Sequence, residues 1–130
     1  MASIFTKIIN GEIPCYKIAE TEHCIAFLDV SPLAKGHTLV IPKKEVDYYF
    51  DLSDELLLEV NTLAKKVAKA IEKVIPCKRI GVAVIGLEVP HAHMHLVPLN
   101  SIGDINFKSV RLQLTPEEFV NIAKAIQQNL

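Results

Sequence analysis

The apolar positions of this chain alternate in strand-like stretches, switch once to a long three-and-four spacing, and then return to alternation. Ile4–Ile9 predicts a short amphipathic helix, stopped by Asn10-Gly11. Tyr16–Glu20 and His23–Val30 predict two strands joined as a hairpin through Thr21-Glu22. Ser31-Pro32 opens a loop that runs to Gly36, and the β-branched run His37–Pro42 predicts a central strand. Ser53 is the expected N-cap of a long helix. Along it Leu56, Val60, Leu63, Val67, Ala70 and Val74 form one face, and Glu55, Glu59, Lys65, Lys66, Lys69 and Lys73 the other. Pro76 ends it. Arg79–Ile85, bounded by Gly86, and His91–Leu99 predict two more strands, and residues 100–113 look irregular. A last helix opens at Thr115, with Pro116 in the first helical position and Glu118 in the capping-box position.

Strands joined by short turns, with one long helix between them and one at the end, predict an α+β fold with a mainly antiparallel sheet. The length of 130 residues is that of one domain, without repeats or a linker. Half of the residues are apolar, enough for a core without covalent staples. The formal charge of -1 argues against a general nucleic-acid binder, which carries a basic excess, yet leaves room for one locally positive anion site. Cys15, Cys24 and Cys77 are odd in number and form no CxxC pair, which fits a reducing compartment. The start carries no apolar signal core and no run is long enough to span a membrane, so the expected location is the cytoplasm.

The chemistry concentrates in Pro90-His91-Ala92-His93-Met94-His95-Leu96-Val97-Pro98. Residues two apart in a strand share a face, so His91, His93 and His95 would form one imidazole row above the apolar row Ala92, Met94 and Leu96. Three readings of the row are open. It is a solvated edge with incidental histidines, a three-histidine metal site, or an anion site where one imidazole attacks phosphorus while its neighbours hold charge and donate protons. In the third, the attacking nitrogen is unprotonated, so the other ring nitrogen needs an acceptor such as a backbone carbonyl.

His91-Ala92-His93-Met94-His95-Leu96-Val97 resembles the motif of the histidine triad (HIT) family, in particular its bacterial HINT-like branch. The lead-in Gly86–Pro90 is similar to that family's, as are Ile8–Pro14, Ala26–Val30 and Gly36–Lys44, in the same order over most of residues 3–99. The resemblance implies a HIT-like fold with a five-stranded antiparallel sheet, commonly a homodimer. It implies hydrolysis or transfer at the α-phosphate of purine nucleoside phosphoramidates or dinucleoside polyphosphates; no cofactor is expected, and neither a membrane nor a nucleic acid is an expected partner. Carried over by position, His93 is the nucleophile and becomes nucleotidylated. His95 binds the phosphate and helps protonate the leaving group, His91 lends its carbonyl to His93, and His37 supports the triad. Asp29 would bind the ribose hydroxyls, and Phe5, Ile8, Phe27, Val30 and Leu39 would line the base pocket.

The chain also departs from that pattern. Ser3, Thr6 and Glu45 stand where many bacterial relatives carry two cysteines and a histidine that bind zinc with the residue at His91, which implies no structural zinc here. Arg79–Gly86 lacks an asparagine common in the family, Leu87 stands where a glutamine is frequent, and Glu88 stands where some members contact the leaving group with a serine. A nucleotide-binding module with little catalysis, or a zinc-dependent hydrolase using the same histidine row, are the alternatives.

Overall fold

A computed structural model describes all 130 residues. Helix α1 spans Ile4–Ile9. Strands β1 (Lys17–Glu20), β2 (Cys24–Leu28) and β3 (Thr38–Pro42) follow, then helix α2 (Asp54–Val74), strands β4 (Arg79–Ala83) and β5 (Met94–Leu99), and helix α3 (Pro116–Gln127). The five strands form one antiparallel sheet in the order β1-β2-β3-β5-β4. This is the expected α+β arrangement.

The helix ends are set by local chemistry. Ser53 Oγ accepts the Leu56 N–H at the start of α2. At α3, Thr115 and Glu118 form a reciprocal capping box ahead of Pro116. Residues Val60, Leu63, Ala64, Val67, Ala70 and Ile71 turn the buried face of α2 onto the sheet, with Phe119, Ala123 and Ile126 of α3 beside them. They pack on Ile18, Cys24, Ala26, Leu28, Val40, Met94 and Leu96. Burying each larger aliphatic side chain contributes roughly 1.5–3 kcal/mol. The other face of the sheet carries a smaller apolar cluster, Phe5, Ile25, Phe27, Leu39 and Ile41, covered by α1. Strands β2 and β3 are therefore buried on both faces.

Two expectations need correction. The β1–β2 connection comprises residues 21–23, held from below by Glu59 of α2, which accepts from Thr21 Oγ1 and from the His23 N–H. More consequentially, the last strand begins at Met94 and not at His91. Pro90 has no N–H to give to a ladder. The His91 N–H turns back to the Val89 carbonyl, and the Ala92 N–H goes to Val46, outside the sheet. Residues 89–92 thus lie outside the sheet, and the strict alternation assumed for the histidine row holds only for His93 and His95. The three cysteines are unpaired, and no helix is long and apolar enough to cross a membrane.

Candidate active site

The smaller cluster forms the floor of the site. His95 pairs across the sheet with Leu39, and its ring stands on the face that carries Phe27. Its ring centroid lies 5.0 Å from that of His93, edge to face. Phe5 of α1 lies 5.0 Å from the His93 ring and 5.8 Å from Phe27. Both rings of the His93–His95 pair are nearly covered, at 8 % and 7 % exposed, and His37 and His91 are fully buried. The His91 ring does not join this row. It reaches instead to Ser3 Oγ and to the Pro42 carbonyl, both at 2.8 Å.

Hydrogen bonds fix where each proton sits. The His91 carbonyl can only accept, so in neutral His93 the proton sits on Nδ1, 2.8 Å away, and the lone pair on Nε2. The Leu33 N–H donates to His37 Nδ1 at 3.0 Å, so the proton of neutral His37 sits on Nε2. That nitrogen faces His95 Nδ1 at 3.0 Å and donates to it, leaving the His95 proton on Nε2. A backbone amide thus dictates, through two rings, that His95 presents an N–H donor beside the unprotonated nitrogen of His93.

Burial sets the charge state. It pushes His37 down to about 3, with the neighbouring His95 and Arg111 adding to the effect. It pushes His95 down to about 4, aided by His93 and Arg111. Burial also lowers His91. The expectation of a protonated neighbour near pH 7 therefore does not hold for the site without ligand, because desolvation disfavours the imidazolium. Asp29 is raised by burial, against the Ser31 N–H bond to its Oδ1 at 2.8 Å. Its Oδ2 lies 3.5 Å from His37 Nε2.

Asp29, His37 and His95 bring ligand atoms within 4.8 Å of one another. A cation held there would have to displace the proton that the Leu33 amide forces onto His37 Nε2, which requires an imidazolate. The geometry suits a shared proton better than a metal ion. Ser3, Thr6 and Glu45 do converge on His91, as the alignment of zinc positions implied. They are hydroxyls and a carboxylate already bonded to one another, a poor donor set for zinc.

Of the expected base-pocket residues, Phe5, Phe27 and Leu39 are buried together and Ile8 packs against them. Val30 is 65 % exposed and outside this cluster. Glu88 is exposed in the loop before His91. Sequence reasoning missed three neighbours. Phe107 sits edge-on to His95 at 4.6 Å and to His37 at 6.3 Å. Arg111 covers the Phe107 ring at 5.5 Å and donates to the Ser31 carbonyl at 2.7 Å. An open hollow of about 280 Å³ adjoins His93, walled by Tyr48, Tyr49, Phe50, Val84, Ile85 and Gly86. The aromatic run Tyr48–Phe50 was the one signal in the sequence for that hollow.

The HIT domain profile matches residues 10–102. Protein hit of Bacillus subtilis is 37% identical over 98% of this chain and 93% of its own length. Adenosine 5'-monophosphoramidase hnt1 of Schizosaccharomyces pombe is 44% identical over 75% of this chain and 74% of its own. Among solved structures, a HIT-like protein of Bartonella henselae superposes with a TM-score of 0.85 at 33% identity, covering 98% of this chain and 96% of that one. With the sheet, the paired imidazoles and the carbonyl-held ring all in place, the chain belongs to the histidine triad family.

Proposed function

We propose that this protein hydrolyses or transfers the nucleotidyl group of purine nucleoside phosphoramidates or dinucleoside polyphosphates, with His93 as nucleophile. One observation carries the reading: His93 Nδ1 donates to the His91 carbonyl, so in the neutral imidazole the lone pair is on Nε2. The names of the fission-yeast relative and of a Saccharomyces cerevisiae relative, both adenosine 5'-monophosphoramidases, support it.

In this reading the purine lies against Phe5, Ile8, Phe27 and Leu39, and Asp29 accepts from the ribose hydroxyls. Val30 and Glu88 lie at the rim. His93 Nε2 attacks the α-phosphorus, a P–N bond to phosphorus forms, and the bond to the leaving amine or phosphate breaks. His95 Nε2–H donates to a phosphate oxygen. The negative charge of the bound phosphate raises the proton affinity of His95, so that ring also becomes able to protonate the leaving group. Water then attacks the nucleotidyl-His93 and frees the nucleotide. Phosphoryl chemistry of this kind depends on positioning and charge stabilisation, which the held rings supply.

The active unit in this proposal is a homodimer. β4 is an edge strand, and Val82, Val84, Ile85 and Leu87 on and after it are exposed. An unpaired antiparallel edge with apolar side chains invites a second copy across a two-fold axis. The three free thiols fit the reducing setting of the cytoplasm.

Intact-mass analysis after a neutral denaturing quench, with adenosine phosphoramidate as substrate, tests the reading. The expected result is an added adenylyl mass in the wild type that is absent from His93→Ala, with turnover lost in the variant. Nucleotide binding without adduct or turnover, across phosphoramidate, dinucleoside polyphosphate and nucleoside diphosphate, would refute it and leave a binding module. Activity removed by a chelator and restored by zinc would point to the metal hydrolase instead.

A further inference from the structure

The hydrogen bonds that hold His91 continue well beyond the triad. Glu45 Oε1 accepts from the Ser3 N–H at 2.6 Å and from Thr6 Oγ1 at 2.7 Å. Ser3 Oγ caps α1 by accepting the Thr6 N–H at 3.0 Å, and lies 2.8 Å from His91 Nδ1. Ser3 is buried and His91 fully so, although they are 88 residues apart in the chain.

The shortest contacts give one proton assignment in this cluster. The Pro42 carbonyl only accepts, so His91 carries its proton on Nε2 and Nδ1 is an acceptor. Bonds from the Ser3 N–H and the Thr6 hydroxyl hold the Glu45 acid down to about 2, so at neutral pH it is a carboxylate and only accepts. The Thr6 hydroxyl therefore donates to Glu45, and the Ser3 hydroxyl donates to His91 Nδ1 at 2.8 Å in preference to Thr6 Oγ1 at 3.3 Å. The residue whose ring is held in this way, His91, is the one whose carbonyl accepts the hydrogen bond from His93 Nδ1–H.

We propose that Ser3, Thr6 and Glu45 are positioning residues for the nucleophile: they lock His91 in one tautomer and one pose, and thereby hold its carbonyl against His93 Nδ1. The same anchor ties down the start of α1, which brings Phe5 against the His93 ring. It therefore links the wall of the base pocket to the reacting nitrogen. The catalytic part of this inference rests on His93 being the nucleophile.

The test compares wild type, Ser3→Ala, Glu45→Gln and Ser3→Thr, with Lys7→Ala on the exposed side of α1 as control. Two readouts are taken: the ring ¹⁵N spectrum of His93 without substrate, and steady-state kcat and KM with adenosine phosphoramidate. In the wild type, His93 should show the pure Nδ1–H tautomer. Ser3→Ala should give a tautomer mixture and a drop in kcat of about tenfold, the worth of one hydrogen bond, with KM within about twofold. Glu45→Gln, at an exposed side chain that leaves the core intact, should shift the same ring signals and lower kcat about threefold. Ser3→Thr keeps the hydroxyl and should restore both readouts, and Lys7→Ala should change neither.

An unchanged His93 ring spectrum and unchanged kcat in both Ser3→Ala and Glu45→Gln would overturn the proposal, as would a loss confined to thermal stability. If Ser3→Ala does not fold, Glu45→Gln decides by the same spectrum. Should the wild type show neither adduct nor turnover, the functional reading falls, while the substrate-free spectrum still decides whether the anchor sets the His93 tautomer.

Discussion

Acidification from pH 7.5 to 5.0 should weaken this protein through His37, and the size of the effect follows from its burial. The ring is fully buried and its pKa is pushed down to about 3, against about 6.5 in an unfolded chain. Between those values the unfolded chain binds a proton at this residue and the native protein does not. Stability is therefore complete above about pH 6.5 and is lost as the pH falls. At pH 5.0, roughly 1.5 units below the unfolded value, His37 alone costs about 2 kcal/mol. His95, pushed down to about 4, adds a loss of the same sign. The comparison protein is His37→Gln, whose amide can accept from the Leu33 N–H and donate to His95 without titrating. Urea denaturation at both pH values gives the free energies. Wild type should lose about 2 kcal/mol more than His37→Gln over this interval. Titrations elsewhere cancel in that difference. They include His23, which Glu59 raises and which therefore favours the folded state as pH falls. Equal losses in the two proteins would refute the assignment of a neutral, buried His37.

Two further outcomes follow from the backbone and the sheet edge. Gly36 has φ +90 and a Cβ there would lie 2.9 Å from Ile75 Cγ1, whereas Gly86 has φ +71 with open space around it. Gly36→Ala should therefore cost about 1–3 kcal/mol more than Gly86→Ala in the same denaturation assay, since it adds overpacking to the shared backbone strain. For the assembly, light scattering should give twice the chain mass for the wild type and the single mass for Val82→Lys, which puts a charge on the exposed β4 side chain; a wild-type monomer would exclude the edge-to-edge pairing.

What was legible in the sequence was mostly local. The caps at Ser53 and Thr115 and the apolar face of α2 depend on residues a few positions apart, and the structure carries them as read. The pairing of His93 with His95 was legible because strand alternation does hold there. The start of β5 was not, because what draws residues 89–92 away is the Val46 carbonyl accepting from the Ala92 N–H, a contact no local pattern announces. The pose of His91 was hidden for the same reason: its partners Ser3 and Pro42 come from distant parts of the chain. Charge state was misread because a row of histidines in sequence says nothing of burial, and burial keeps His37 and His95 neutral. Phe107 and Arg111 lie in a stretch without periodicity, and Arg111 meets Ser31 80 residues away.

That last stretch lies against the imidazoles yet outside the matched domain. The four clustered imidazoles lie within residues 10–102, which the family profile covers, whereas Phe107 and Arg111 lie beyond it. The tail is fastened over the rings by Arg111 on Ser31 and by the Leu112 N–H on the Pro32 carbonyl. It covers the ring pair from a segment outside the matched domain. Grafting a different tail onto this scaffold would change the wall over His95 and, with Arg111 gone, remove one of the charges that hold His37 and His95 neutral.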